Sequence, residues 1–340
     1  MGPTNERELE EILSRPGECD RAAMRELEGD LLILGAGGKM GPSLARRARR
    51  AASEAGVNKR IIAVARFSEP GLIEGLADSG VETIRADLLE QDQLDRLPDC
   101  ANVIFMAARK FGTTGNEHMT WAMNTLLPAR VAERYKDARI VAFSTGNVYP
   151  LMPVHSSGAT EAVPVAPVGE YAQSALGRER MFQYCSSRFG TRVTLLRLNY
   201  AIDLRYGVLS DIGRKVFEHQ PVDLSMGYVN VIWQGDANSV CLRSFNLCQS
   251  PPSVLNLTGS EVLSVRSLAL RCGEYFGIDP IFKNTEGESA LLSDASDCRQ
   301  RFGDSEVGVD AMIRWTADWI RRGGRMLNKP THFQVRNGRY

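Results

Sequence analysis

No C-x-x-C pair occurs in this 340-residue chain, and its seven cysteines are an odd number spread from Cys19 to Cys298. Reduced thiols of a cytoplasmic protein are the plain reading, not a disulfide framework. Histidine is scarce. His118, His155, His219 and His332 show no ligand spacing, so no metal is expected and each reads as a surface or cap residue. Net charge is absent, with 41 Lys+Arg against 41 Asp+Glu, which removes the global field that nucleic acid or an anionic membrane would require. No apolar run approaches the length of a membrane span, and the opening MGPTNERELEEIL lacks a signal peptide's apolar region. Neither an internal repeat nor a low-complexity segment is present. What is left is a chain long enough for one large α/β domain or two smaller ones, with a small molecule as the expected partner.

The most informative stretch is Leu31-Leu32-Ile33-Leu34-Gly35-Ala36-Gly37-Gly38-Lys39-Met40-Gly41. Four apolar residues read as a buried parallel strand. Gly35, Gly38 and Gly41 follow at the spacing G-x-x-G-x-x-G, and a helix from about Met40 to Ala55 opens behind them. A dinucleotide site needs glycines there for a sharp turn, for close approach of backbone to a pyrophosphate, and for tight helix–strand packing. The helix would aim its amino end at the phosphates. Glycine-rich turns also occur for purely structural reasons, so the motif needs support from the rest of the chain.

That support comes as alternation. Strands are expected at Leu31–Leu34, Arg60–Arg66, Val81–Ala86, Asn102–Ala107, Arg139–Ser144 and Thr191–Leu198. Helical runs lie between them at Pro42–Ala55, Gly71–Asp78, Leu88–Leu97, Glu117–Tyr135 and Glu170–Arg188. The pattern predicts an α/β fold, a Rossmann-type doubly wound parallel sheet. Residues 1–29 read as an added helical arm, a packing extension or a dimer or lid contact. Residues 30–200 form the expected dinucleotide-binding domain. Residues 201–327 form the expected smaller, mostly helical substrate-binding part, with some segments returning to the Rossmann sheet, a strand at Val254–Leu257 and helices at Val265–Phe276 and Asp310–Arg322. The polar tail, 328–340, is expected to be partly disordered.

The end of the second strand selects between cofactors. A carboxylate there would bond the adenine-ribose hydroxyls, whereas a cation would pair with the extra phosphate of NADP. The segment Ala63-Val64-Ala65-Arg66-Phe67-Ser68 has no carboxylate before Glu69. Arg66, with Lys39 in the glycine loop, favours NADP, with NAD the alternative. At the end of the fifth strand stands Ser144-Thr145-Gly146-Asn147-Val148-Tyr149, and Tyr171 opens the next helix. A hydroxyl and a tyrosine so placed could polarise a carbonyl or deprotonate an alcohol. A tyrosine titrates near pH 10 and needs a nearby positive charge to be useful. Taken singly, Tyr171 also reads as a half-buried packing residue and Arg66 as a strand-end cap.

Together these residues resemble the extended short-chain dehydrogenase/reductase family, of the NAD-dependent epimerase/dehydratase type, over roughly Asp30 to Arg322. Gly35, Gly38 and Gly41 match its glycine motif. Asp87-Leu88 resembles its acidic residue near the adenine, Ala107 and Ala108 its small-residue turn along the cofactor, and Asn124 its structural asparagine. Ser144-Thr145-x-x-Val148-Tyr149 matches its S-[ST]-x-x-V-Y segment, and Arg197 with Asn199 its R-x-x-N run. Val229–Asp236 and Leu255–Gly259 resemble two landmarks of its carboxyl-terminal half. The resemblance implies Tyr171 as acid/base, Thr145 as its hydroxyl partner, cofactor contacts at Gly35, Gly38, Lys39, Met40, Gly41, Arg66, Asp87, Leu88, Ala107, Ala108, Asn124 and Tyr171, and a homodimer through the helices of Asn124 and Tyr171.

Two departures stand out. The family pattern is Y-x-x-x-K, and four residues after Tyr171 this chain has Ala175. Either another cation substitutes or the protein binds cofactor without turnover. Arg178, seven residues on and on the same helix face, could reach back one turn; Lys110 is a second candidate, and Arg178 could equally be a solvated helix residue. A substituting guanidinium would pull the tyrosine pKa below its free value. Secondly, the acidic pair that family dehydratases carry after the catalytic threonine is Gly146 and Asn147 here, so sugar dehydration is not expected. The expected function is NAD(P)-dependent epimerisation or oxidoreduction of a sugar, sugar nucleotide or related alcohol or ketone. The alternatives are NADPH-dependent reduction of a non-sugar carbonyl and a non-catalytic cofactor-binding sensor.

Overall fold

The computed structural model describes residues 2–339. Seven strands make the central sheet: β1 (Leu31–Leu34), β2 (Ile61–Ala65), β3 (Glu82–Arg85), β4 (Asn102–Phe105), β5 (Arg139–Thr145), β6 (Arg192–Leu198) and β7 (Ser253–Leu257). Their spatial order is β7-β6-β5-β4-β1-β2-β3, and each neighbouring pair is parallel. Progress along the sheet reverses between β1 and β4. That reversal opens a crevice beyond the strands' carboxyl ends, where such sheets hold ligands. Strands β1, β2 and β4 are buried throughout because helices cover both faces, which is why they read as unbroken apolar runs.

One face carries α1 (Glu6–Ser14), α2 (Glu18–Glu26), α3 (Gly41–Glu54) and α10 (Gln234–Arg243), packed on one another. The arm is therefore a packing extension. Leu9 and Leu13 are fully buried, and the Asp20 carboxylate accepts from Arg47 Nε at 2.9 Å and Nη2 at 2.6 Å. Short helices α4 (Leu72–Ala77) and α5 (Gln91–Asp95) link β2, β3 and β4.

The other face carries α6 (Glu117–Trp121), α7 (Leu127–Arg134) and α8 (Gly169–Phe189). The single helix expected over Glu117–Tyr135 is interrupted by a π-helical turn, Ala122–Leu126. Pro128 explains the break: it has no N–H to return to the Asn124 carbonyl four residues back, so the ladder must widen. The widened turn carries Asn124.

Beyond β6, α9 (Val208–Phe217), α11 (Val265–Phe276) and α13 (Val309–Arg321) pack together around a second core that includes Ile212, Leu268 and Ile313. A further helix, α12 (Ser296–Phe302), packs on β7. Four two-stranded pairs tie the segments between them. The expected strand at Val254–Leu257 is β7 of the main sheet, so the carboxyl-terminal half returns to the first core.

The tail departs from the expected disorder. Thr331 and Phe333 are each 2% exposed, and Arg336 Nη1 donates to the carbonyls of Ser289 (2.6 Å) and Ser225 (3.1 Å). Its polar composition concealed these anchors. Among the described residues, no helix is long and apolar enough to cross a membrane, no cluster of His, Cys, Asp or Glu could hold a metal, and all seven cysteines are free.

Candidate active site

The glycine loop joins β1 to α3 across the sheet's crevice, and its three glycines serve different ends. Gly35 has φ +91°, and a Cβ there would sit 2.5 Å from the Ala107 amide nitrogen, because the turn lies against the chain leaving β4. At Gly41 a Cβ would overlap the Ala36 carbonyl, so this glycine brings the first turn of α3 down on the loop. Gly38 differs, since a Cβ there meets only the Gly35 oxygen at 3.6 Å. It leaves its side of the loop open toward a cavity of about 550 Å³, lined by Lys39, Arg46, Lys110 and Tyr206, and toward two more. One, of about 370 Å³, is lined by Arg66, Asp87, Leu88, Ala107 and Ala108. The other, of about 320 Å³, is lined by Lys39, Met40, Lys110, Thr145, Tyr171 and Arg178. A dinucleotide would span both, with backbone amides and the α3 amino end facing its phosphates. The open face at Gly38 fits such a group.

Arg66 is 73% exposed and stands 3.8 Å from the Asp87 carboxylate. Arg66 and Asp87 thus stand side by side in the wall of one cavity, at the carboxyl ends of β2 and β3. The Asp87 side chain also accepts from the Leu89 amide at 3.1 Å, which fixes the turn after β3. Lys39 turns toward the carboxyl-terminal half: its Nζ donates to the Ala201 carbonyl at 2.6 Å and lies 4.1 Å from the Tyr206 ring centroid. Burial pushes the Lys39 pKa down to about 7 and the Lys110 pKa down to about 8.

The catalytic candidates meet at the ends of β5 and the start of α8. The Tyr171 and Thr145 hydroxyls are hydrogen-bonded, and Thr145 Oγ1 donates onward to Asn147 Oδ1 at 3.0 Å. Arg178 is buried, not solvated, at 2% exposure. Its Nη1 donates to the Phe143 carbonyl at 2.7 Å and its Nη2 to Asn124 Oδ1 at 2.9 Å, while its buried Nε has no partner among the described residues. Asn124 lies behind Arg178 and does not line the cavity. It also accepts from the Arg109 amide and donates to the Arg109 carbonyl, both at 2.9 Å, and donates to Ser174 Oγ at 3.0 Å. It is a positioning residue, held by the π turn.

The expected lowering of the Tyr171 pKa is corrected by the structure. Burial raises it, and the Arg178 charge and the Thr145 hydrogen bond offset that rise only in part. Desolvation penalises the phenolate more than one guanidinium rewards it. Ala175 packs with Val148, Tyr149 and Ala159 in an apolar cluster, so an introduced lysine would start among apolar neighbours.

Beneath the site lies a buried polar chain that sequence reading did not anticipate as a unit. Glu179 accepts from Ser144 Oγ at 2.5 Å and from Arg197 Nε and Nη2 at 2.9 and 2.7 Å. Arg197 Nη1 donates to the Tyr149 hydroxyl at 2.7 Å, which donates to Asn256 Oδ1 at 2.8 Å. The chain ties β5, α8, β6 and β7 together directly under Thr145, and each buried charge in it is partnered. Cavity residues Tyr200, Tyr206 and Thr331 were likewise missed; they stand in loops and in the tail, with no motif to mark them.

A parallel doubly wound sheet with its glycine loop at the switch point defines a Rossmann-type α/β protein. Residues 31–202 match the NAD dependent epimerase/dehydratase family, and the chain belongs to it. No curated protein matches the chain by sequence. Similar solved structures include the Thermotoga maritima UDP-glucose 4-epimerase with UDP-glucose, at 16% identity and TM-score 0.71 over 86% of this chain and 99% of that one. WbmG of Bordetella bronchiseptica with NAD is 18% identical, TM-score 0.71, over 90% and 98%. The Campylobacter jejuni UDP-Glc/GlcNAc 4-epimerase is 19% identical, TM-score 0.71, over 86% and 99%. At these identities the likeness is one of fold.

Proposed function

We infer that the protein binds a nicotinamide dinucleotide along the glycine loop and moves hydride to or from an alcohol or carbonyl carbon of a sugar-like substrate. The observation that carries this reading is the Tyr171–Thr145 hydroxyl pair backed by the buried Arg178, in a cavity continuous with Gly38. The cofactor would supply the hydride acceptor or donor. Thr145 holds the substrate oxygen, and Tyr171 takes or gives its proton. Arg178 offsets the charge that Tyr171 acquires when it acts as base. With Gly146 and Asn147 beside Thr145 there is no carboxylate to drive loss of water, which leaves epimerisation or carbonyl reduction. The similar epimerases, two of them acting on UDP-sugars by name, favour epimerisation. Reduced-nicotinamide absorbance with a supplied ketone separates the readings: a reductase consumes it, an epimerase leaves it unchanged over turnover, and a sensor shows binding alone.

The cofactor similar structures hold is NAD; the preference of this chain for NADP rests on Arg66, with Lys329 lining the same cavity. Arg66→Ala is expected to weaken NADPH binding while leaving NADH nearly unchanged. Solvent exposure and the nearby Asp87 limit the loss to roughly three- to tenfold. Fluorescence titration of both cofactors checks it, and tighter NADH binding by the unaltered protein overturns the preference.

A homodimer is expected through α6, α7 and α8. Trp121 (37% exposed), Leu126 (46%) and Tyr184 (54%) lie on these helices and the π turn between them, leaving apolar surface there. Light scattering at micromolar concentration should give twice the 37.5 kDa chain mass, and monomer mass would contradict the arrangement.

A further inference from the structure

We propose that the carboxyl-terminal segment, residues 328–339, positions Tyr171 by fixing the start of α8 and the loop leaving β4; this rests on the hydride-transfer reading above. Tyr171 stands in the first turn of α8, and that turn has no side-chain cap. Val168, just before it, is 49% exposed. The first amides of a helix lack partners within it, so an uncapped start frays readily. One hold on this start is the Trp121 indole N–H, which donates to Glu170 Oε2 at 2.5 Å. A second is the far end of the tail. Gly169 and Gly338, at φ +83° and +70°, meet backbone to backbone. A Cβ on Gly169 would overlap the Gly338 carbonyl, and one on Gly338 the Val168 carbonyl. Only glycine fits at either position.

The tail is itself fixed from behind. Phe333 is buried in the core of the carboxyl-terminal half. Arg336 Nη1 donates to the Ser289 and Ser225 carbonyls, and its Nη2 donates to Ser289 Oγ at 2.8 Å. Thr331 donates to Asp211 Oδ2 of α9 through its amide at 2.8 Å and its hydroxyl at 2.6 Å. The same segment also reaches the loop leaving β4. The Thr331 carbonyl accepts from Lys110 Nζ at 3.5 Å, and the His332 ring lies 5.8 Å from that of Phe111. Lys110 Nζ in turn lies 5.8 Å from the Tyr171 ring centroid. The tail therefore holds both the helix start that carries Tyr171 and the lysine beside its ring. A displacement of about 1 Å at a reacting group costs up to about a hundredfold in rate. Gly338 and Arg336 do not line the cavity of Tyr171, so an effect of either on turnover must pass through the chain they hold. They are positioning residues.

The test uses the full-length protein with Gly338→Ala, and with Arg336→Ala should the first fail to fold. Hydrogen exchange over residues 166–178 should quicken about tenfold or more, with α9 and α11 unchanged. Nitration of Tyr171 by tetranitromethane, read by peptide mass, should rise while that of Tyr149, buried in a separate apolar cluster, stays the same. UDP-glucose and a panel of free ketoses serve as turnover probes. For any that the unaltered protein converts, kcat should fall about tenfold or more, with KM and the cofactor Kd within about twofold. Unchanged exchange and nitration at Tyr171 in a folded variant overturn the proposal. So does an equal rise at Tyr149, which marks general loosening, or a lowered melting temperature with kcat intact. Should the unaltered protein convert no probe and bind no cofactor, the hydride-transfer reading fails, and exchange and nitration still decide whether the tail holds Tyr171.

Discussion

Gly38→Val is expected to abolish cofactor binding without harming the fold. On the proposed reading a pyrophosphate would approach the backbone on the open side of the loop at Gly38, and two methyl groups there would hold it off. The loss should be on the order of a hundredfold or more in Kd for NADH and NADPH alike. Thermal unfolding should barely move, since the new Cβ meets only the Gly35 oxygen at an ordinary 3.6 Å. The neighbouring glycines give the contrast. Gly35→Ala combines φ +91° with a Cβ 2.5 Å from the Ala107 nitrogen, and Gly41→Ala collides with the Ala36 carbonyl. Both should lower the melting temperature by several degrees or prevent folding, whatever the cofactor does. Fluorescence titration beside a melting curve separates the three. Unchanged affinity in Gly38→Val would remove the premise of the site.

This division of labour shows where sequence reading succeeds. The spacing of Gly35, Gly38 and Gly41 was legible because a turn, an open loop face and a helix start follow one another directly in the chain. The neighbour that excludes a side chain at Gly35, Ala107, is nonetheless distant in sequence. The strands were legible for a related reason: a parallel strand buried on both faces must be apolar along its whole length, as Leu31–Leu34 and Asn102–Phe105 largely are. The π turn was hidden although its cause, Pro128, stood in view, because a proline can end, kink or widen a helix. Arg178 was harder. Helical periodicity placed it on the face of Tyr171, but whether that face meets solvent or the Phe143 carbonyl depends on β5 and the π turn, both distant in sequence. The Glu179–Arg197 pair and the anchored tail were illegible for the same reason in stronger form. Thr331, Phe333 and Arg336 sit in a polar segment with no periodicity, and their partners Asp211, Ser225 and Ser289 lie up to 120 residues away.

Tyr171→Phe should reduce turnover by about 10²–10⁴, the usual contribution of a positioned acid or base, with cofactor affinity little changed. Arg178 tests the substitution for the missing lysine. Arg178→Met removes the charge that offsets part of the burial penalty on Tyr171, so the apparent pKa of the tyrosine should move further up. For alcohol oxidation, which needs the phenolate, kcat/KM in the unaltered protein should still be rising as pH approaches the free tyrosine value of about 10. In Arg178→Met the whole limb should shift to higher pH and the rate at neutral pH should fall. Arg178→Lys should restore the position of the limb in part, because it returns the charge while losing the second of the two hydrogen bonds to Phe143 and Asn124. A purely structural arginine would behave otherwise: Arg178→Met would lower the melting temperature, through the acceptors left unpaired, and leave the limb where it was. Ala175→Lys is the remaining arm. Because Ala175 is fully buried against Val148, Tyr149 and Ala159, the lysine should destabilise the fold without raising activity. Rescue of an inactive unaltered protein by Ala175→Lys would mean that Arg178 does not fill the role and would favour the sensor reading.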